Sequence, residues 1–173
     1  MGLFDRFKKG SQSPAQSEAQ APTDPKAVYL PMNGKVIDLK EVGDGVFSEG
    51  MLGQGAAVEP SDGKVYAPFD GEVTMVYDTK HALGLMSKGG VELLIHIGLD
   101  TVNLEGKCFN IKVKDGQKIK KDDLMAIADL DGIKKAGYRT VTPVIVTNSD
   151  DFEKIEKVCE GTQGAGVKLL DVK

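Results

Sequence analysis

The sequence predicts an all-β domain with short helices, preceded by a flexible N-terminal tail. The chain has 173 residues, which is enough for one domain with a single buried core. It contains 21 glycines and 7 prolines but only 6% aromatic residues, a composition typical of many short elements joined by tight turns. From residue 27 onward, short apolar runs alternate with Gly, Asp and Pro, which favours the strands of a sandwich or barrel.

The predicted strands are apolar runs bounded by turn residues, at 28–30, 34–39, 56–58, 64–67, 72–77, 91–97, 107–113, 124–128, 142–147 and 166–172. A helix is predicted from Asp150, which would cap it while Glu153 reaches back to the same end. Phe152, Ile155 and Cys159 would form its inward stripe. A shorter helical turn is predicted at 131–136.

Residues 1–26 are predicted to be a tail outside the domain, which spans 27–173. Residues 10–26 are polar and rich in proline, as in a linker. Residues 1–9 have an amphipathic helical pattern, with Leu3, Phe4 and Phe7 on one face beside basic residues. This pattern suits weak contact with a membrane surface and equally suits a frayed terminus, so both interpretations stay open.

Charge and cysteine usage narrow the functional classes. A net charge of −4 gives no basic surface for nucleic acid, so no nucleic-acid partner is expected. Cys108 and Cys159 lie far apart, without a CxxC pair or a secretory leader, which predicts a reduced, cytoplasmic protein. Both cysteines are interpreted as small core residues. No apolar run reaches the roughly 18 residues that a membrane-spanning helix needs.

The two histidines carry the functional hypothesis. Side chains alternate along a strand, so His96 points away from the core face that Val91 and Ile95 share. A turn at 87–90 would bring His81 next to His96 across a hairpin. In an extended chain Thr79 would lie on the same face as His81 and fix its tautomer.

This pair suits phosphoryl chemistry better than a metal site. A zinc site usually needs three or four protein ligands, so His81 and His96 alone are at most incidental zinc ligands, and no cofactor is predicted. A neutral imidazole nitrogen is a competent nucleophile toward phosphorus. Neither a GxxxxGK[ST] loop nor a GxGxxG turn after a strand is present, so a partner protein must supply the phosphate.

The segment 90–102, GVELLIHIGLDTV, resembles the active-site signature of glucose-type enzyme IIA domains of the bacterial phosphoenolpyruvate:sugar phosphotransferase system. The segments TKHA at 79–82, APFDGEV at 67–73 and TPV at 142–144 are also similar to that family, and the resemblance extends from residue 28 to the C-terminus. It implies an antiparallel β-sandwich. We expect the protein to be a monomer that forms transient complexes.

The resemblance also implies the roles of the site residues. His96 would accept phosphate at Nε2 from the phosphocarrier HPr, itself phosphorylated through enzyme I, and pass it to a cysteine of a membrane IIB/IIC sugar permease. His81 would steady the phosphoryl oxygens, Thr79 would orient His81, and the carbonyl of Gly98 would take the Nδ1 proton of His96. The transported sugar stays open.

A shallow apolar docking surface is implied around the histidines. The candidates are Phe47, Met51, Tyr77, Leu94 and Val102, with the rim carboxylates Asp44 and Asp100. Core packing is the alternative for Tyr77 and Leu94, although strand alternation argues against it for Leu94. The family often has aromatic residues beside the active histidine where this chain has Leu94 and Ile97, which bears on partner preference.

Two other functions compete with the relay. Residues 114–124 and 67–71 also resemble parts of lipoyl or biotinyl carrier domains, but the expected hairpin lysine is missing, so this alternative ranks far behind. A regulatory module is the other alternative, in which phosphorylation of His96 selects among partners such as transporters or kinases. Regulation of this kind is compatible with the relay.

Overall fold

Antiparallel strands are the main regular element of the structure, a computed structural model that describes residues 23–173. The strands are β1 (Ala27–Tyr29), β2 (Gly34–Asp38), β3 (Gln54–Pro60), β4 (Lys64–Tyr66), β5 (Gly71–Val76), β6 (Ala82–Ser87), β7 (Glu92–His96), β8 (Phe109–Ile111), β9 (Lys118–Ile119), β10 (Leu124–Ala128), β11 (Thr142–Val146), β12 (Ile155–Lys157), β13 (Gly161–Gln163) and β14 (Lys168–Val172). The helix α1 spans Leu130–Lys135, and 3₁₀ turns lie at Leu39–Val42, Thr101–Leu104 and Ser149–Asp151.

The strands form three sheets. The largest has the order β13-β2-β3-β11-β7-β6-β5-β9, and the two smaller sheets have the orders β1-β14-β12 and β4-β10-β8. Every pairing is antiparallel. The large sheet is open, ending at β13 and β9. The predicted antiparallel β-sandwich with short helices is therefore confirmed, and the sheets of residues 23–173 do not close into a barrel.

The large sheet buries apolar side chains on both of its faces. Along β7, Leu93 and Ile95 belong to the main core, whereas Leu94 belongs to a second apolar cluster. The same alternation recurs along β11, where Val144 faces the main core and Ile145 faces the second cluster. The segment after β2 covers this second cluster, so the chain around residues 39–47 is held against the face that carries His96.

The predicted helix from Asp150 is wrong. Ser149–Asp151 form one 3₁₀ turn, and Ile155–Lys157 form β12, which pairs with β14. A short isolated helix is marginally stable, whereas the free edge of β14 offers hydrogen bonds to an extended chain. Pairing with β14 therefore outweighs the helical pattern.

The cysteines Cys108 and Cys159 are half-buried and pack against the main core.

The shorter predicted helix is confirmed as α1, where the Asp129 side chain accepts a hydrogen bond from the Gly132 backbone. Each of the ten predicted strands is present, six of them with shorter bounds, whereas β3 is longer than predicted. The prediction omitted β6, β9, β12 and β13. β6 contains Gly84, which interrupts its apolar run, and β9, β12 and β13 are too short for a clear period.

The predicted boundary after residue 26 falls within a segment that contacts the domain. The carbonyl of Pro25 accepts a hydrogen bond from Ser87 Oγ at 3.0 Å, and Thr23 Oγ1 donates to Asp70 at 3.2 Å. The segment 1–9, predicted to be amphipathic, and most of the predicted linker at 10–26 lie outside the described residues. Within residues 23–173, no helix has the length and apolar character needed to cross a bilayer.

Candidate active site

The β6–β7 hairpin brings the two histidines together. In its register Ala82 faces His96, and the backbone N–H of Ile97 donates to the carbonyl of His81 at 2.7 Å. The buried hydroxyl of Ser87 accepts hydrogen bonds from Gly89 and Val91 and so closes the turn at the other end. The ring centroids of His81 and His96 lie 4.7 Å apart, with an interplanar angle of 77°.

A backbone carbonyl fixes the tautomer of His96. Nδ1 of His96 lies 2.7 Å from the carbonyl oxygen of Gly98. A carbonyl can only accept a hydrogen bond, so Nδ1 carries the proton and Nε2 keeps its lone pair. Gly98 has φ +78°, and a Cβ there would lie 2.6 Å from Cγ2 of Thr101. Only glycine therefore fits at this position without strain.

The hydroxyl of Thr79 holds the other ring. Its Oγ1 lies 2.6 Å from Nδ1 of His81. The expected contact is present, but the predicted extended geometry is not, because residues 78–81 form a turn in which Lys80 has a left-handed φ of 58°. The Tyr77 ring packs edge-on against His81, with centroids 5.6 Å apart. The turn rather than a shared strand face brings Thr79 to His81.

Both imidazoles are kept neutral. Burial and the neighbouring His96 ring lower the pKa of His81 to about 4. Burial also lowers the pKa of His96, although the hydrogen bond to Gly98 and the negative charges of Asp100 and Asp44 partly offset this effect. A neutral His96 with a protonated Nδ1 has a nucleophilic Nε2 at neutral pH.

A depression of about 450 Å³ adjoins His96. Its lining residues are Asp44, Val46, Phe47, His96, Leu99, Asp100, Val102, Gly137, Tyr138 and Arg139. The Phe47 ring contacts His96, with centroids 4.9 Å apart. Partial burial opposes ionisation of Asp44, but hydrogen bonds from the backbone of Ser48, Phe47 and Val46 outweigh it and lower the pKa. Asp44 is therefore charged at neutral pH.

The predicted docking residues differ in exposure. Met51, Tyr77 and Val102 are exposed, with fractions of 72%, 37% and 46%. Phe47 and Leu94 retain only 8% and 9% of their surface and belong to the second apolar cluster. The alternation of side chains along β7 correctly placed Leu94 on the face opposite the main core. It does not argue against burial of Leu94, because the second apolar cluster covers that face.

Arg139 is a residue of the depression that the sequence prediction missed. It lies in a polar stretch between α1 and β11, with no motif around it. Its position depends on long-range contacts with the segments near Val42 and Leu99, which local sequence patterns do not reveal.

Within residues 23–173, no group of three or more His, Cys, Asp or Glu side chains is arranged to hold a metal ion.

A family model for the phosphoenolpyruvate-dependent sugar phosphotransferase system, EIIA 1, matches residues 26–152. The chain belongs to this EIIA family. A glucose-specific EIIA component of Halalkalibacterium halodurans is 43% identical over 166 residues, covering 95% of both chains. A glucose permease IIA from Mycoplasma capricolum has the same fold, with a TM-score of 0.77, 38% identity and coverage of 83% of this chain and 93% of that one.

Other EIIA relatives are parts of longer proteins. The beta-glucoside-specific EIIBCA component of Bacillus subtilis is 47% identical over 152 residues, which cover 88% of this chain but 24% of that protein. The chain thus spans about a quarter of that relative and nearly all of the H. halodurans EIIA component. Membership identifies the chain as a phosphotransferase component of a sugar phosphotransferase system and implies a phosphoryl relay.

Proposed function

We propose that this EIIA chain accepts a phosphoryl group from phospho-HPr on Nε2 of His96 and passes it to a cysteine of a IIB component during sugar uptake. The observation that carries the proposal is the 2.7 Å contact between His96 Nδ1 and the Gly98 carbonyl, beside the ring of His81. This contact leaves a single nucleophilic nitrogen on an imidazole that is neutral at neutral pH.

The first transfer exchanges one nitrogen–phosphorus bond for another. The lone pair on Nε2 of His96 attacks phosphorus, and the bond between phosphorus and the donor histidine breaks, leaving its electron pair on the donor nitrogen. The Nδ1 proton stays in the hydrogen bond to Gly98 throughout. Phosphorylation makes the ring more electron-poor, so this hydrogen bond strengthens as the product forms.

The second transfer moves the group from nitrogen to sulfur. A thiolate of the IIB cysteine attacks phosphorus, and the bond to Nε2 breaks with return of its electron pair to His96. A Thr79 hydroxyl that donates to Nδ1 of His81 leaves the His81 proton on Nε2. That N–H is then available to the phosphoryl oxygens in both transfers, since the rings are 4.7 Å apart.

Partner docking is proposed to use the surface around the depression. Exposed Met51, Tyr77 and Val102 offer apolar contact, while Asp44 and Asp100 supply negative charge for a cationic side chain beside the donor histidine. A transient, monomeric complex with HPr or with IIB/IIC fits a small surface of this kind. The added phosphoryl charge next to Phe47 also supports the regulatory role, in which transporters or kinases distinguish the two states.

The test is intact-protein mass spectrometry at neutral pH after incubation with phosphoenolpyruvate, enzyme I and HPr. Wild type is expected to gain one acid-labile phosphoryl group, and His96→Gln none. His81→Gln serves as the matched control, because it removes the other imidazole and should still be labelled. Labelling of His96→Gln, or an unlabelled wild type beside an active known acceptor, would contradict the proposal.

A further inference from the structure

The depression beside His96 contains two carboxylates and one cationic side chain. Asp44 and Asp100 both raise the pKa of His96 through their negative charge, so their fields reach the imidazole. Within the described part of the chain, Arg139 is the single lysine or arginine that lines this depression. A phosphoryl group on His96 would add about two negative charges next to these carboxylates. A positive charge there would offset the repulsion.

Two hydrogen bonds hold Arg139 at this position. Its Nη1 donates to the carbonyl of Val42 at 2.7 Å, and its own carbonyl accepts from the N–H of Leu99 at 3.0 Å. The first contact ties it to the segment that carries Asp44, and the second ties it to the segment that carries Asp100. Arg139 is therefore anchored to both of the segments that supply the carboxylates of the depression.

Most of the guanidinium remains available. Within residues 23–173, the contact with Val42 is the only hydrogen bond of the Arg139 side chain, and Arg139 is solvent-exposed. A guanidinium has five N–H donors, and one of them is used. Its planar fork matches phosphoryl oxygens, and a side chain fixed at one nitrogen loses less entropy when it binds them.

We propose that Arg139 is a phosphoryl-binding residue of this site, which hydrogen-bonds the phosphoryl group on His96 and stabilises the phosphorylated state. This inference rests on the proposed phosphorylation of His96. The role of Arg139 differs from that of His81, because Arg139 lines the depression beside His96 whereas His81 does not. In this proposal the two residues contact the same phosphoryl group.

The experiment compares purified phosphorylated wild type with Arg139→Gln, Arg139→Lys and Lys135→Gln. Lys135→Gln is the matched control, because it removes the same charge from an exposed residue of α1 that does not line the depression. The second ionisation of the phosphoryl group is followed by ³¹P NMR across pH, without any partner protein. A bound guanidinium favours the dianion, so Arg139→Gln should raise the phosphoryl pKa by about half a unit or more.

The equilibrium between phospho-HPr and the phosphorylated chain gives a second readout. Arg139→Gln should shift it toward phospho-HPr on the order of tenfold, the value expected for loss of a charge-assisted hydrogen bond. Arg139→Lys should recover part of both effects, and Lys135→Gln should match wild type. Urea midpoints of the unphosphorylated variants check that loss of the Val42 contact has not unfolded the domain.

A phosphoryl pKa in Arg139→Gln equal to that in Lys135→Gln would overturn the inference. So would a slower transfer from HPr with an unchanged pKa and equilibrium, because Arg139 would then act on the partner rather than on phosphate. Failure of the proposed function looks different, since wild type itself would then carry no phosphoryl group.

Discussion

The rings of His81 and His96 meet nearly edge to face, with centroids 4.7 Å apart and an interplanar angle of 77°. The two are held by different partners, the Gly98 carbonyl for His96 and the Thr79 hydroxyl for His81. His96 thus has Nε2 free as a nucleophile, and His81 can present its Nε2–H beside it. This asymmetry between chemically identical side chains supports the separate roles proposed for them.

His81→Gln should still accept phosphate but pass it on slowly. His96 is intact in this variant, while the ring N–H proposed to steady the phosphoryl oxygens is replaced by an amide on a more flexible side chain. Loss of one preplaced donor costs on the order of 100-fold in rate. Rapid-quench measurement of transfer to a IIB domain checks the prediction.

Thr79→Ala is the companion variant, because it keeps the His81 ring and removes only the contact at 2.6 Å. A smaller loss, on the order of tenfold, is expected. A His81→Gln protein that cannot be labelled at all would reverse the roles assigned to the two histidines.

Gly98→Ala should reduce both stability and the rate of phosphorylation. The residue has φ +78°, and a Cβ would lie 2.8 Å from the carbonyl oxygen of Arg139 as well as close to Thr101. Relief of these contacts moves the carbonyl that fixes His96. A loss of about 1–3 kcal/mol in the free energy of unfolding is expected from urea titration.

Gly90→Ala is a useful comparison for Gly98→Ala. Gly90 also has a positive φ, of 83°, but nothing lies within 4 Å of the position of its Cβ. The Gly90→Ala variant should lose stability through backbone strain alone and keep a normal rate of phosphorylation. Equal phosphorylation rates for the two variants would show that the Gly98 carbonyl does not control His96.

Local patterns in the sequence predicted much of the β-structure and the meeting of the histidines. Alternation along 91–97 identified the core face correctly, because a strand has a fixed period of two. It failed to show that Leu94 is buried too, because the covering segment comes from residues 39–47, far away in sequence. Arg139 escaped notice for the same reason, and β12 was mistaken for a helix because its pairing partner lies at the C-terminus.

The stability of the protein should fall as the pH drops from about 6.5 to 4. The pKa of His81 is about 4 in the folded protein and 6.5 as its ordinary value. Between these values the unfolded chain binds a proton that the folded chain does not, so protonation favours unfolding. At about 1.4 kcal/mol per pKa unit, the full effect is about 3–4 kcal/mol.

Urea unfolding at pH 7, 6 and 5 measures this dependence, and His81→Gln should show a flatter slope because it lacks the titrating group. NMR titration of the His81 ring gives the pKa directly. A ring that titrates near 6.5 in the folded protein would remove the basis of the prediction.

Asp100→Asn should slow transfer from HPr mainly at low salt. Asp100 is exposed at the depression beside His96 and has a left-handed φ of 59°. Asparagine tolerates this conformation, so the variant removes the charge while keeping the backbone. A rim carboxylate acts on encounter with a cationic partner, and about 0.5 M NaCl screens charges beyond roughly 4–5 Å. Stopped-flow transfer rates should therefore differ by several-fold at low salt and converge at high salt, whereas equal rates at low salt would exclude a steering role for Asp100.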